Sequence, residues 1–375
     1  MRALAIRPGI PGVFAVERPE PVIRAPDEVK VRVLLVGVCG TDREEAAGGR
    51  ARAPEGQAEL VIGHEMLGQV AGVGPAVREL KAGDLAVFTV RRGCGQDLPC
   101  LLGRPDMCRT GAYRERGIWG LDGFQAEYVV DREAYAVRVP AELAELGVLV
   151  EPLSVAEKAV DEAVRVQAAR LPEAGATPTW LFGRRCLVVG LGPIGLLGAL
   201  VLRLRGSEVC GLDVVDPESP RARWLGDIGG RYIDGRRVRP ENLPETVGAF
   251  DLIFEAAGVA ALDFNLVEAL SPDGTLVLTG IPGDDRPFQL PGGEVARRLV
   301  LGNLVMVGSV NAARDHYRLA VDDLVTGTCR WGKDFLGRLV THRHPADAAS
   351  QAFGRHPPDE IKAVINWAAS AGQPS

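Results

Sequence analysis

The sequence predicts an α/β protein in two parts: a β-rich N-terminal portion and a doubly wound parallel sheet covered by helices. Three observations carry this. Up to about residue 150 the chain is rich in alternating, β-branched segments such as "EVKVRVLLVGVC" and "EYVVDREAYAVRVP", punctuated by glycine and proline. Beyond about residue 180, strand-like and helix-like segments alternate, the pattern of parallel strands joined by crossover helices. One of those strands runs straight into a Gly-x-Gly-x-x-Gly turn that opens a helix.

Each element follows in order. "AEKAVDEAVRVQAARL" is a helical run, with valine and alanine recurring at three- and four-residue steps, and "PEAGATPTWLFGRR" breaks it. "RCLVVGLGPIGLLGALVLRLRG", "EVCGLDVVD", "FDLIFEAAGV" and "DGTLVLTGI" are four strand candidates separated by helix-like segments. The tail "FLGRLVTHRHPADAASQAFGRHPPDEIKAVINW" returns to strand–helix–strand and is expected to pack back on the first part. The expected boundaries are 1–154, 155–310 and 311–375, and 375 residues suffice for two cores.

Hydrophobic residues at 46% and charged residues at 25% are ordinary for a soluble globular protein. The net charge of −6 and the lack of a basic run argue against a nucleic-acid partner. "MRALAIRPGIPG" is too short in apolar length for a signal peptide, and no stretch approaches the ~18 apolar residues of a membrane span. A cytoplasmic protein with no membrane partner is expected. Seven cysteines, an odd number, read as thiols or metal ligands rather than a disulfide framework. Cys186, Cys210 and Cys329 fall in or near apolar elements and are expected to be buried thiols.

The glycine turn reads Gly190-Leu191-Gly192-Pro193-Ile194-Gly195. Its glycines serve a tight turn, close approach of backbone to a pyrophosphate, and close helix–strand contact, while the helix N-terminus offers free N–H groups to phosphate. Asp213, at the end of the next strand, is placed to accept from the adenosine ribose hydroxyls and to repel a 2′-phosphate. NAD is therefore favoured over NADP, although Arg221 or Arg223 keeps NADP open. Asp216 is a second acid, assigned by spacing to the following loop.

"LVIGHEMLGQVAGVG" carries His64 and Glu65 in an otherwise apolar segment. A zinc-peptidase His-Glu-x-x-His motif fails because position 68 is Gly68. Cys39 in "VGVCGTD", at the end of a strand, and Glu151 in "VLVEPLSVAEKA", where a strand gives way to the helical run, complete the ligand types of a catalytic zinc. Spacing alone does not bring them together. Cys94, Asp97, Cys100 and Cys108 form a compact second cluster on a polar loop, a candidate structural metal site. Asp97 stands where a fourth cysteine is expected. A carboxylate binds zinc more weakly than a thiolate, so the lobe reads as loaded, partly loaded or metal-free.

In order and spacing, "GVCGTD", "GHEMLG", the cysteine lobe, "EPLSV" and "GLGPIG" resemble the zinc-dependent medium-chain alcohol dehydrogenase superfamily over essentially the whole chain. "RPDMC", "YRERGIWGLDGFQAEYVVD", "VLVEPLSVAEKA", "DLIFEAAGV" and "GSVNA" resemble its archaeal-type glucose 1-dehydrogenases. The resemblance implies a GroES-like catalytic domain, a Rossmann domain, a C-terminal return to the catalytic domain, and an active site in the cleft between them. It implies Cys39, His64 and Glu151 as catalytic zinc ligands and Glu65 as an exchanging ligand or supporting group. Thr41 is then the hydroxyl touching the reacting alcohol, and Glu115 and Asn311 hydrogen-bond sugar hydroxyls. Glu115 reads equally well as a solvated surface acid. Dimers or tetramers are implied.

The implied reaction is zinc-assisted transfer of the C1 hydride of an aldose to NAD(P), giving an aldonolactone. Polyol, threonine and simple alcohol dehydrogenases of the same superfamily are the first rivals; the Cys/His/Glu ligand set is shared with the polyol enzymes, and only Glu115, Asn311 and the "GSVNA" context lean towards aldoses. A catalytically silent NAD-binding homologue is the second, and an intact Cys39, His64 and Glu151 argues against it.

Overall fold

The computed structural model describes residues 1–176, 179–283, 287–354 and 356–368. The chain divides into two compact units, residues 1–154 with 311–375, and residues 155–310.

The first unit is built on a seven-stranded sheet. Its main path runs Ala136–Val139, Leu85–Phe88, Glu65–Val73, Glu28–Val38, Lys362–Asn366 and Val340–Pro345, with Tyr128–Arg132 also paired to Glu28–Val38. Val29, Val31, Val33 and Val36 from the longest strand pack with Met66, Val70, Phe88 and Phe124. Ala363, Ile365 and Trp367 belong to the same core, which is how a segment from the far end of the chain is held there. A smaller three-stranded sheet joins Arg91–Arg92, Arg114–Arg116 and Gly120–Leu121.

The second unit is a six-stranded parallel sheet in the order Arg231–Asp234, Glu208–Asp213, Arg185–Val189, Phe250–Glu255, Leu270–Leu278, Val305–Gly308. This 3-2-1-4-5-6 order, the topology of dinucleotide-binding folds, puts its switch point beside Arg185–Val189. Leu187, Val189, Leu212, Ile253 and Leu276 fill its core. All four predicted strands are present; Arg231–Asp234 and Val305–Gly308 extend them at the two edges.

Two expectations are corrected. No strand precedes Glu151: Gly147–Leu149 is a 3-10 turn and the helix already begins at Val150. The apolar run "LGVLV" imitates a buried strand, but Pro152 fits the first turn of a helix, where its missing N–H costs nothing. Cys329 is exposed and Cys210 half-buried; only Cys186 of the three is a fully buried thiol. Part of the predicted break before the parallel sheet, residues 177–178, lies outside the described residues. Among the described residues no helix is long and apolar enough to cross a membrane.

Candidate active site

Cys39 ends the Glu28–Val38 strand and precedes the short helix Gly40–Ala46. Asp42, in the first turn of that helix, accepts from the Cys39 backbone N–H through Oδ2 (2.7 Å). Its other oxygen, Oδ1, faces His64 Nδ1 at 3.5 Å, and both atoms are buried. Burial acts to raise the Asp42 carboxyl, but the imidazole and the Cys39 amide hold it below its ordinary value. Burial acts to lower His64, yet Asp42 and Cys39 raise it well above the usual imidazole value. An acid at Nδ1 orients the ring and leaves Nε2 for a ligand, the support that metal-bound histidines commonly receive.

The ligand atoms of Cys39, His64 and Glu65 lie within 4.8 Å of one another. Glu151 stands outside that group, in the first turn of Val150–Arg170, and is buried. Burial pushes its carboxyl up to about 7 against the pull of His64, with Glu65 adding to the rise. Glu45, also buried, is pushed up to about 9 by burial and by Asp42, and neither of its oxygens has a partner among the described residues. The Thr41 hydroxyl lies 3.9 Å from the Cys39 sulfur.

Lys362 is the buried cation facing these acids. Its ammonium pairs with both oxygens of Glu65, at 2% and 1% side-chain exposure. Burial acts to lower Lys362, but Glu65, Cys39 and Asp42 raise it. Strand register makes the pair: Gly37 is opposite Glu65, and Ala363 is opposite Val38. A Cβ at Gly37 would fall 1.9 Å from Glu65 Oε2 and 3.0 Å from Lys362 Cε, so only glycine leaves room there. Lys362 is matched by Glu65 and His64 by Asp42, which leaves Cys39, Glu45 and Glu151, and a cluster offering thiol, imidazole and carboxylate donors around the largely buried site fits a divalent zinc-type cation.

Glu115 and Asn311, far apart in sequence, meet: Asn311 Nδ2 donates to Glu115 Oε1 at 2.7 Å. Glu115 is buried (5% exposed), which removes the reading of a solvated surface acid.

In the cysteine lobe, ligand atoms of Cys94, Asp97, Cys100 and Cys108 lie within 4.8 Å of one another. Asp97 is also the N-cap of Leu98–Leu101: Oδ1 accepts from Cys100 N (3.1 Å) and Oδ2 from Arg109 N (2.6 Å). The Cys100 thiol first, and then those backbone bonds, hold its carboxyl well below the usual range. The Thr110 hydroxyl and the Gln96 and Asp97 amides lower Cys94 to about 7, whereas burial and Asp97 push Cys100 up to about 12. The donor set fits a metal, with Asp97 already tied to backbone by both oxygens.

In the second unit, Gly190 has φ +84°, and a Cβ at Gly195 would fall 1.8 Å from Gly190 O. A Cβ at Gly192 would meet nothing within 4 Å, so the open space beside it fits a pyrophosphate at the N-terminus of Pro193–Leu204. Asp213 Oδ2 accepts from Leu191 N (2.5 Å) and Oδ1 from Val214 N (2.6 Å), which fixes the acid beside the glycine turn.

Three residues were missed in the sequence. Asp42 carries a signal, an acid three positions after the cysteine. Lys362 and Arg91, which binds Glu115, carry none, because their partners arrive by strand pairing.

The family description "Glucose dehydrogenase C-terminus" matches residues 144–367, and "Alcohol dehydrogenase GroES-like domain" matches residues 25–141. The chain is 40% identical to the glucose 1-dehydrogenase of Thermoproteus tenax over 97% of this chain and 99% of that one. It is 38% identical to the glucose 1-dehydrogenase of Methanocella arvoryzae, covering 92% of this chain and 93% of that one. The Haloferax mediterranei glucose dehydrogenase, solved in complex with NADP, zinc and gluconolactone, superposes with a TM-score of 0.87 at 34% identity, covering 98% and 99% of the two chains. With a GroES-like domain, a parallel nucleotide-type sheet and these matches along its length, the chain belongs to the glucose dehydrogenase family of the zinc-dependent medium-chain alcohol dehydrogenases.

Proposed function

We propose that the protein oxidises an aldose such as glucose at C1, passing the hydride to NAD(P) and releasing the aldonolactone and a proton. The observation that carries this reading is Glu115: a buried carboxylate clamped through one oxygen by Arg91 and Asn311, with no donor on its other oxygen among the described residues. Such a free acceptor suits a sugar hydroxyl. The residues would divide the work as follows. Cys39, His64 and Glu151 hold the zinc, and Glu65, kept by Lys362, serves as a reserve ligand. Asp42 orients His64. Thr41 places its hydroxyl against the reacting alcohol. Glu115 and Asn311 hold ring hydroxyls. Zinc, when bound, supplies a Lewis acid that lowers the pKa of the C1 hydroxyl. Residues 1–154 with 311–375 form the catalytic domain and 155–310 the nucleotide-binding domain. The enzyme works as a cytoplasmic homodimer or homotetramer.

NAD is the preferred cofactor in this reading, with NADP as the alternative, although the Haloferax relative was solved with NADP. Asp213 places a carboxylate beside the glycine turn, where a 2′-phosphate would meet like charge. Arg223 is tied to Glu218 (2.8 Å), and Arg236 and Arg237 to Asp234 (2.8 and 3.5 Å), which leaves those guanidinium groups engaged by acids.

The test is nicotinamide reduction by the zinc-loaded protein across aldoses, polyols and simple alcohols, with NAD and NADP in parallel. Aldose turnover, faster with NAD, is expected. Turnover of polyols or alcohols alone removes the sugar assignment, and faster turnover with NADP removes the role given to Asp213.

A further inference from the structure

Arg91 has no role of its own in the reaction beyond its contact with Glu115, yet it is among the most heavily committed side chains near the candidate sugar site. It lies directly opposite Glu115 in the antiparallel pairing of Arg91–Arg92 with Arg114–Arg116. Its Nε (3.0 Å) and Nη2 (2.9 Å) both donate to Glu115 Oε1. Its Nη1 donates to the Asp106 carbonyl (2.8 Å), and its guanidinium stands 4.1 Å from the centroid of the Tyr113 ring. Asp106 is itself gripped by both carboxylate oxygens by Arg104, so the carbonyl that anchors Arg91 is fixed. Asn311, with φ +60°, adds a third donor to the same Glu115 oxygen. Among the described residues nothing donates to Glu115 Oε2 or to the Asn311 side-chain carbonyl.

We propose that Arg91 is a positioning residue for sugar recognition: it fixes Glu115 so that Glu115 Oε2 and the Asn311 carbonyl oxygen stand together as acceptors for two hydroxyls of one sugar. The inference rests on the reading of Glu115 as a sugar ligand. The physical case is one of saturation. A carboxylate removed from water needs its charge compensated, and the guanidinium does this through one oxygen only, which leaves the second free for substrate. Two guanidinium donors on Oε1, with the guanidinium itself held at the Asp106 carbonyl and Asn311 as a third donor, fix the position of that oxygen, which a single-point ammonium does less well. The chemistry of the pair also sets a class of substrate. Two acceptors beside a fixed carboxylate take neutral, hydroxyl-bearing rings and disfavour a sugar phosphate or uronate whose anion would fall at that place.

The experiment compares E115Q, R91Q, R91K and the double variant R91Q/E115Q, measuring KM for glucose, kcat, KM for the cofactor, and zinc content. For E115Q the sugar KM is expected to rise at least about tenfold, the cost of a charged hydrogen bond. R91Q is expected to raise it about 10- to 30-fold, with cofactor KM and zinc content unchanged, and R91K to recover part of the loss. Because Arg91 acts through Glu115, R91Q should add less than about threefold in the E115Q background. Full addition of the two effects, or an unchanged sugar KM in R91Q, overturns the proposal while the reading of Glu115 stands. An unchanged KM in E115Q overturns that reading first. Should R91Q fail to fold, R91K decides: it keeps the charge and loses the fork, so a several-fold rise in sugar KM is expected and an unchanged value overturns the proposal.

Discussion

Lys362 and Glu65 show how much a single pairing can depend on its neighbours. Both are almost fully buried, and the pair exists only because Gly37 gives up a side chain. Removing one partner leaves an uncompensated buried charge, whereas removing both leaves a cavity and no charge. In zinc-stripped protein, K362M is therefore expected to lose about 3–5 kcal/mol of unfolding free energy, and K362M/E65Q to recover most of it. Chemical denaturation of the four corners of that cycle checks the sign; equal losses in single and double variants would deny the pair its structural role. The His-Glu dipeptide was legible in the sequence as an anomaly. Its lysine was not, since it lies on the Lys362–Asn366 strand and reaches Glu65 only through tertiary pairing.

Among the elements, the cysteine lobe is the one whose chemistry departs from a four-thiolate site. Asp97 does two jobs that a cysteine would divide differently: it caps Leu98–Leu101 and binds the amide of Arg109, so the loop keeps hydrogen-bonded closure without a metal. Thiolate binds zinc more tightly than carboxylate, so D97C should hold a lobe zinc against a chelator that strips the wild type. Zinc per chain after graded chelation measures this; identical retention in both proteins would show that Asp97 is as good a ligand as cysteine. In D97A the loss of the cap is expected to lower the unfolding midpoint of the metal-free protein, and an unchanged midpoint would deny Asp97 its capping role.

For the whole molecule, pH acts through groups outside the metal cluster as well. Asp263, in the parallel-sheet unit, is raised to about 7, first by burial and then by the charge of Glu255. In the unfolded chain an aspartate ionises near about pH 4. Between about pH 4 and about pH 7 the folded state therefore binds more protons than the unfolded one, and stability falls as pH rises. The penalty is absent below that window and complete above it. D263N is expected to match the wild type at acid pH and to unfold at a higher temperature above neutrality. Scanning calorimetry across pH reads the outcome, and parallel curves for the two proteins would remove Asp263 as the source.

The sequence by itself determined the α/β class, the glycine turn with Asp213, and the candidate ligands Cys39 and His64, because these rest on local periodicity, backbone sterics and residue chemistry. It also exposed Asp97 as the odd member of a cysteine lobe. Tertiary structure decided which distant groups meet. Asn311 reaches Glu115, Arg91 faces Glu115 across two short strands, Lys362 neutralises Glu65, and Asp42 turns toward His64. It also turned the apolar run before Glu151 into a helix start, where short-range pattern cannot separate a buried strand from a buried helix. The physical reason is that a buried charge needs a partner, and the partner comes from tertiary packing rather than spacing along the chain: strand register brings Arg91 to Glu115 and Lys362 to Glu65, while loop and helix placement bring Asn311 to Glu115 and Asp42 to His64.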